Sequence, residues 1–544
     1  MNYSKINILH IFILIAFSLS SYSCKSDSRP AKAEHIIVIG LDGLSSEGLQ
    51  FAKTPNLNML IRDGAMSLTA LNVMPTVSSP NWAAQLTGAG PEQNGVTDNG
   101  WKKDQPIVKP QVADKDGYFP SIFNVIREQM PQAKMGFFYD WNGLGEMFNL
   151  SLIDTVEFFE EPNKSITAAI PYIVSEKPDF TLIYSGETDE QGHAFGWKSD
   201  EYLKAIEESD QHIGELINAL KDNKMYENTY IFVITDHGGV GKGHGGTSET
   251  EMRIPWIIKG PGVLKNRIIE QTMNTIDTSP TIAYLLHLKQ PWAWIGKPVK
   301  AAFSSDPMAK AMPVKSFVAA PRILPAGGLY VKKDAAVNLS ADGIDLQIHY
   351  TLDGNPPTIE SPLYNEALNL TESAVVRARS FSGQNNGSQV TNAAFRILKD
   401  TKGHGIKYTY YEGSWVNLPD FSRLQPKGKG RIFEFDVNPV EKREDHFAVK
   451  FESFLQIDTA GEYKFYIWSD DGSKFYVDDR EVIDNDGSHS AQMKGGSIKL
   501  EEGKHPVRVE YFDDYMGQEL ALYYEGPGLA FQVVPAHKLF LSLE

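Results

Sequence analysis

His35-Ile36-Ile37-Val38-Ile39-Gly40-Leu41 runs straight into Asp42-Gly43, and two later stretches repeat that plan. Phe180-Thr181-Leu182-Ile183-Tyr184 leads to Asp189 and His193. Tyr230-Ile231-Phe232-Val233-Ile234-Thr235 ends at Asp236-His237-Gly238-Gly239, with His244 shortly beyond. The apolar runs read as buried strands. In open α/β sheets, sites form at the carboxyl ends of the strands. Carboxylates and imidazoles gathered there suit a pair of zinc-class metal ions. One acidic turn after one strand would mean little. Three of them within the first half of the chain point to a site.

Around these runs, residues from about 35 to 310 alternate apolar strands with helical patterns, the signature of βαβ units. Thr54-Pro55 opens a helix through Ile61 that Gly64 closes, with N-cap, proline and glycine in their favoured places. Ser79-Pro80 opens another in the same way, Asp200 to Leu220 has helical apolar spacing, and Thr278-Ser279-Pro280 caps a helix ending near His287. Ser78 therefore falls just before a helix N-terminus, where free backbone N–H groups favour an anionic oxygen. By itself this segment reads as a simple serine cap. A serine hydroxyl becomes a useful nucleophile only beside a base or a metal, and a metal held by Asp42, Asp236 and His237 would leave a position for the Ser78 oxygen. Asp189 and His193 stand four apart in what reads as a glycine-containing loop; with His244 they make a three-ligand open site of catalytic type. Glycines between Gly241 and Gly246 let the backbone approach closely, and no Walker phosphate-binding pattern is present.

The chain has 544 residues, enough for several domains. Its 42% hydrophobic and 22% charged residues are ordinary for a globular protein. Lys and Arg number 52 against 69 Asp and Glu, a net charge of −17. No basic surplus exists to neutralise a nucleic-acid backbone, so no nucleic-acid-binding surface is expected. Phosphorylated small molecules are not excluded, because bound metals supply local positive charge.

Residues 1–23 read as an export signal: Lys5, then an apolar stretch from Ile6 to Leu19 too short for a comfortable span, then small residues. Cys24 follows, the only cysteine in the chain, so no disulfide can form within one chain. A lone cysteine there resembles a bacterial lipoprotein processing site, which implies an exported protein, outer-membrane-anchored in the periplasm or at the cell surface through lipid on Cys24. Residues 24–34 are then a tether. After Pro298 the texture changes. Residues 306–325 read as a linker, 326–398 as short strands with turn clusters such as Asp353-Gly354-Asn355-Pro356-Pro357, and 403–544 as a second β-rich unit with many aromatics. Helical patterning is nearly absent there, which favours sandwich or barrel architectures. All candidate ligands precede residue 305, so the first unit is expected to hold the chemistry by itself.

In order along the chain stand Asp42-Gly43, Pro75-Thr76-x-Ser78-x-Pro80-Asn81, Asp189-x-x-Gly192-His193, Asp236-His237-Gly238 and His244-Gly245. This set resembles the type I phosphodiesterase/nucleotide pyrophosphatase branch of the alkaline phosphatase superfamily, over roughly residues 35 to 300. The resemblance implies an α/β alkaline-phosphatase-like catalytic domain over 35–305. It implies one zinc on Asp42, Asp236, His237 and Ser78, and a second on Asp189, His193 and His244. Ser78 would be the nucleophile and Asn81 would contact a non-bridging phosphoryl oxygen. Three departures stand out: Ser78 where the branch usually has Thr, Trp82 where His is common, and Asn94-Gly95-Val96 where His-Gly-Ile is common. Ser78-Ser79-Pro80-Asn81-Trp82 lacks the Cys and Arg of the related sulfatases.

His349-Tyr350-Thr351-Leu352-Asp353-Gly354 with Pro357-Thr358, Tyr364 and Val376-Arg377-Ala378-Arg379 resembles the small β-sandwich appended to chitobiases and hexosaminidases. Tyr410-Tyr411-Glu412-Gly413, Gly461-x-Tyr463-x-Phe465 and Ser469-Asp470-Asp471-Gly472-Ser473 resemble the β-barrel module first seen in anthrax protective antigen. Some modules of that kind bind glycans through calcium held by adjacent aspartates. That implies calcium on Asp470-Asp471, against the plainer reading that both only order a turn. Together these resemblances imply an exported metal-dependent phosphoesterase, foremost a phosphodiesterase. The rivals are a phosphomonoesterase or sulfatase of the same superfamily, and a non-catalytic glycan-binding surface lipoprotein. Its substrate would be a phosphorylated small molecule or a glycan-linked phosphoester.

Overall fold

The computed structural model describes residues 29–311, 317–343, 346–383, 386–515 and 517–543. The segment read as an export signal and Cys24 lie outside them. Among the described residues, no helix is long and apolar enough to cross a membrane.

The first unit is built on one eight-stranded sheet: β1 (His35–Leu41), β2 (Gly64–Leu71), β3 (Met135–Tyr139), β4 (Thr155–Phe158), β5 (Phe180–Ser185), β6 (Thr229–Ile234), β7 (Arg253–Lys259) and β8 (Arg267–Ile268). The strand order is β4-β3-β5-β1-β6-β7-β2-β8. β1 lies between β5 and β6 and pairs parallel with both. The three acidic turns seen in the sequence therefore follow three neighbouring strands and open at one edge of the sheet. Successive side chains of a strand point to opposite faces, and here both faces are covered. Ile36 and Val38 enter one core, while Ile37, Ile39 and Leu41 enter the other. That is why β1 reads as an unbroken apolar run rather than an alternating one.

Arg322–Leu324, read from sequence as linker, is a strand. It pairs antiparallel with Ala335–Ser340 and forms an edge of the next unit. Its three residues are too few to show strand periodicity among the surrounding Ala and Pro. The sandwich has a four-stranded and a three-stranded sheet around a core that includes Val337, Val376 and Phe395. In the last unit the expected barrel is hydrogen-bonded as two sheets, of seven and four strands. Both supply one core: Phe465, Ile467 and Leu522 from one, Val449, Phe451 and Val509 from the other. The units touch. Arg396 of the sandwich forks onto Glu434 of the last unit, with Nη2 to Oε2 at 2.8 Å.

Candidate metal centre

Asp42 follows β1 and is buried, as are Asp236 and His237 after β6. One Asp42 oxygen, Oδ2, is fully engaged: it accepts from the Tyr184 hydroxyl at 2.6 Å and from the Trp82 indole at 2.9 Å. Trp82, a departure in the motif, thus orients the first aspartate. Gly40 makes room for its indole, since a Cβ there would lie 2.5 Å from the ring. The turn beyond is pinned at the Gly43 carbonyl, which accepts from Trp197 Nε1 at 2.9 Å and the Tyr202 hydroxyl at 2.8 Å. The Gly43 N–H donates to Asp236 Oδ1 at 3.1 Å.

Asp189 and His193 do not sit in a loop. Glu187–Phe195 is a helix, and the spacing of four places both side chains on one face. The glycine at 192 hid this helix from the sequence reading. His193 Nε2 lies 3.5 Å from Asp189 Oδ2 and 3.1 Å from His244 Nε2. His244 Nε2 lies 3.7 Å from Asp189 Oδ1. His237 Nε2 lies 3.1 Å from Asp236 Oδ2, 3.5 Å from Asp42 Oδ1 and 3.9 Å from Asp189 Oδ1. Two groups of potential ligands result, Asp189-His193-His244 and Asp42-Asp189-His237, sharing Asp189.

Each histidine places its Nδ1 on a carbonyl: His193 on Lys242 at 2.8 Å, His237 on Gly238 at 3.0 Å and His244 on Thr76 at 3.0 Å. A carbonyl can only accept a hydrogen bond, so Nδ1 carries the hydrogen and each Nε2 presents its lone pair to the cleft. The His237 and His244 rings stack at 3.7 Å, an arrangement that disfavours charge on either. Burial lowers the pKa of all three histidines, that of His244 most strongly, and for His244 its two histidine neighbours add to the effect. Burial, followed by the charge of Asp42, raises Asp189 and Asp236 well above the ordinary carboxylate range.

Asp42 and Asp236 each have one oxygen satisfied by hydrogen bonds and one left over. Asp42 Oδ1, Asp189 Oδ1 and Asp236 Oδ2 are buried with no hydrogen-bond partner among the described residues. Unpaired buried carboxylate oxygens are costly. These three face three imidazole lone pairs, and a donor set of oxygen and nitrogen suits zinc-class cations.

Ser78 is the first residue of the helix Ser78–Thr87, one position further in than the sequence suggested. The N-cap position is taken by Val77, so Ser78 does not cap this helix. Its Oγ lies 3.3 Å from His237 Nε2. Asn81, expected at a phosphoryl oxygen, is turned away. Its Oδ1 accepts from Val73 N at 2.7 Å, and its Nδ2 donates to the carbonyls of Val73, Pro75 and Val77. Fully buried, it braces the loop before Ser78 and has nothing left for a ligand. Sequence reading missed Asn99. Its Oδ1 accepts from Ser79 N at 2.8 Å, which brings an exposed carboxamide beside Ser78. An asparagine in a turn, 21 positions away in Asp98-Asn99-Gly100, gave no signal of that proximity.

Asp140 braces the same region. Its Oδ1 accepts from Gly186 N at 2.9 Å and its Oδ2 from Asn163 N at 3.1 Å. Burial, with the charges of Glu190 and Asp42 adding, pushes its pKa from 3.8 up to about 7. The folded chain then holds a proton that the unfolded chain releases, so this contribution is full below pH 3.8 and is lost as pH rises through about 7. A shift of about three units corresponds to roughly 4 kcal/mol at most. Urea titrations of the metal-free chain should show stability falling across that window relative to Asp140→Asn. Parallel pH profiles for the two would disprove it.

Residues 36–241 match the family described as type I phosphodiesterase / nucleotide pyrophosphatase. The N-terminal unit is homologous to these hydrolases of phosphoester bonds. Residues 325–392 match the chitobiase/beta-hexosaminidase C-terminal domain and 403–535 the PA14 domain. Among curated relatives, bovine bis(5'-adenosyl)-triphosphatase ENPP4 is 24% identical over 244 residues, 42% of this chain and 53% of the relative. Human ectonucleotide pyrophosphatase/phosphodiesterase family member 1 is 25% identical over 214 residues, 37% of this chain and 23% of the relative. The chain thus spans about half or less of the length of these relatives. Among solved structures, murine ectonucleotide pyrophosphatase/phosphodiesterase 5, an inactive variant in complex with AMP, aligns at TM-score 0.41 and 17% identity, over 48% of this chain and 96% of that one. Wild-type alkaline phosphatase PafA aligns at TM-score 0.43 and 11% identity, over 50% and 99%.

Proposed function

We propose that the phosphodiesterase-type unit is a two-metal phosphodiesterase with Ser78 as nucleophile. One observation carries this reading: three buried, unpartnered carboxylate oxygens converge with three imidazole Nε2 atoms beside the Ser78 hydroxyl. Asp42, Asp236, His237 and the Ser78 oxygen would hold one zinc, and Asp189, His193 and His244 the other. Ions held by these residues would supply Lewis acidity for an in-line displacement at phosphorus. Ser78 Oγ would pass its proton to solvent as it attacks phosphorus, the ester oxygen opposite would depart and take up a proton from water, and the product would be a seryl phosphodiester that keeps the other ester group. Water would then attack the same phosphorus and lose a proton while Ser78 Oγ departs and regains one, releasing the phosphomonoester. The Asn99 carboxamide, tied to Ser79 N, takes the phosphoryl-contacting role that Asn81 cannot fill.

The substrate reading combines the relatives, one of them a bis(5'-adenosyl)-triphosphatase, with a module of the chitobiase/beta-hexosaminidase C-terminal type. Phosphodiesters joined to a nucleoside or a sugar are the proposed class. Chromogenic phosphodiesters, phosphomonoesters and sulfate esters, assayed with added zinc, should rank in that order by kcat/KM. A leading sulfate ester would overturn the reading. Lys5, the Ile6–Leu19 stretch and Cys24 support export and lipid anchoring; Cys24→Ser should release the protein from the membrane fraction.

For the last unit we propose calcium-dependent glycan binding beside Asp470-Asp471. Asp471 does order its turn, accepting from His489 N at 2.8 Å and Asp514 N at 2.7 Å. Yet both oxygens of buried Asp513, and Asn485 Oδ1, have no partner among the described residues. Burial and neighbouring aspartates push Asp470 and Asp513 each to about 8. Hard oxygen donors of this kind suit calcium. Calorimetric titration should show calcium uptake that Asp513→Ala abolishes, and a glycan-array signal sensitive to chelator. No uptake would leave the unit a spacer.

A further inference from the structure

The loop carrying His244 is held from two sides, and the outer side belongs to the last unit. Val240 and Gly243 exchange both backbone hydrogen bonds, at 2.9 and 3.0 Å, leaving Gly241 and Lys242 at the tip of a tight turn. The catalytic unit uses the carbonyls of that tip. Gly241 O accepts from Trp197 N at 2.7 Å, and Lys242 O receives His193 Nδ1 at 2.8 Å. Glu519, the first residue of the strand Glu519–Gly526, approaches from the opposite direction. Its carboxylate lies against that tip, where it interacts favourably with the Lys242 backbone N–H. Gly241 has φ +57, and a Cβ there would lie 1.6 Å from Glu519 Oε1. Only glycine admits both that backbone and that neighbour. Asp470 Oδ2 adds a second approach, 3.6 Å from where a Gly243 Cβ would stand.

We propose that Glu519 is a positioning residue for the metal centre: by gripping Lys242 it fixes the carbonyl that orients the His193 ring. The inference rests on the metal reading above. A glycine-rich tip is costly to order, and its two carbonyls decide where His193 and Trp197 sit. A ligand histidine takes its tautomer and direction from the group on its other nitrogen, and loss of such a partner costs about 10–100-fold in metal affinity or activity. Glu519 acts one step further out, so the lower end applies. All ligands lie in the first unit, but one of them is aimed with help from the last.

Zinc affinity of the full chain, measured by competition with a chromophoric chelator, tests this. Glu519→Ala should weaken one of two zinc ions roughly tenfold and lower kcat by a similar factor with little change in KM. Glu519→Gln keeps an acceptor for the Lys242 N–H and should restore both to within about threefold of wild type. Glu519→Asp, one methylene shorter, should weaken zinc in the same direction as Ala. Wild-type zinc affinity in both the Ala and Asp variants, or equal weakening in Ala and Gln, overturns the proposal. Hydrogen exchange at the Lys242 amide in the metal-free chain reads the grip independently. Faster exchange in Glu519→Ala supports it and unchanged exchange overturns it. A wild-type chain that binds no zinc would overturn the metal reading instead, and the exchange result would still decide what Glu519 does.

Discussion

Ser78→Ala lowers turnover of a chromogenic phosphodiester by at least about 10³-fold, the order lost when a covalent nucleophile is removed from a site that acts as a unit. Zinc content and melting temperature stay close to wild type. The structural ground is that, among the described residues, Ser78 Oγ bonds one side chain, His237 Nε2 at 3.3 Å, and Val77 rather than Ser78 is the N-cap. Removing it costs little packing and leaves six acidic and imidazole ligands in place. Ser78→Thr keeps part of the activity, because the added methyl leaves the hydroxyl available and the related branch usually carries Thr there. Single-turnover experiments with labelled phosphodiester should trap label on Ser78 in the wild type. Near wild-type rates in Ser78→Ala would mean that a water molecule attacks phosphorus directly.

Asp189→Asn removes the carboxylate shared by both ligand groups. Metal analysis of the purified variant should find at most one zinc where the proposed centre takes two in the wild type, and phosphodiester turnover should fall by about 10³-fold, as expected when a two-metal displacement loses one of its ions. In the metal-free state the effect reverses. Burial and the charge of Asp42 raise the Asp189 pKa well above the usual range, so the ionised group destabilises the empty fold at neutral pH. The amide relieves that cost. Metal-free Asp189→Asn should therefore melt at or above the temperature of metal-free wild type, while the order inverts with zinc present, since a ligand bound only to the folded state stabilises it. A variant that retains both zinc ions and the wild-type rate would remove Asp189 from the centre.

The proposed metal requirement bears on stability as well. The unpartnered oxygens of Asp42, Asp189 and Asp236 are tolerable in a folded protein when a cation faces them and expensive when none does. On the proposed reading, metal uptake is coupled to stability as well as to chemistry.

Much of this protein was legible in the order of its residues. Apolar runs such as Ile36–Leu41 announce buried strands because a strand covered on both faces has no polar side to show. The acids just beyond them announce a site because strand ends in such sheets converge. The two β-rich units follow from short strands and dense turn signals. What the sequence could not supply was contact between distant segments. Asn81 and Asn99 are the same residue type near the same helix, and only the folded backbone shows that one spends its amide on Val73, Pro75 and Val77 while the other reaches Ser79. Asp189 and His193 fall on a helix because of what packs around them, against the local signal of Gly192. Trp82 departs from the motif, and its role follows from Gly40, which admits its ring onto Asp42. Glu519 stands 277 positions from Lys242, and no local pattern marks it. Strand periodicity and turn chemistry are short-range and are written along the chain; the direction of a carboxylate or an imidazole is set by partners that only the packed structure brings within hydrogen-bonding distance.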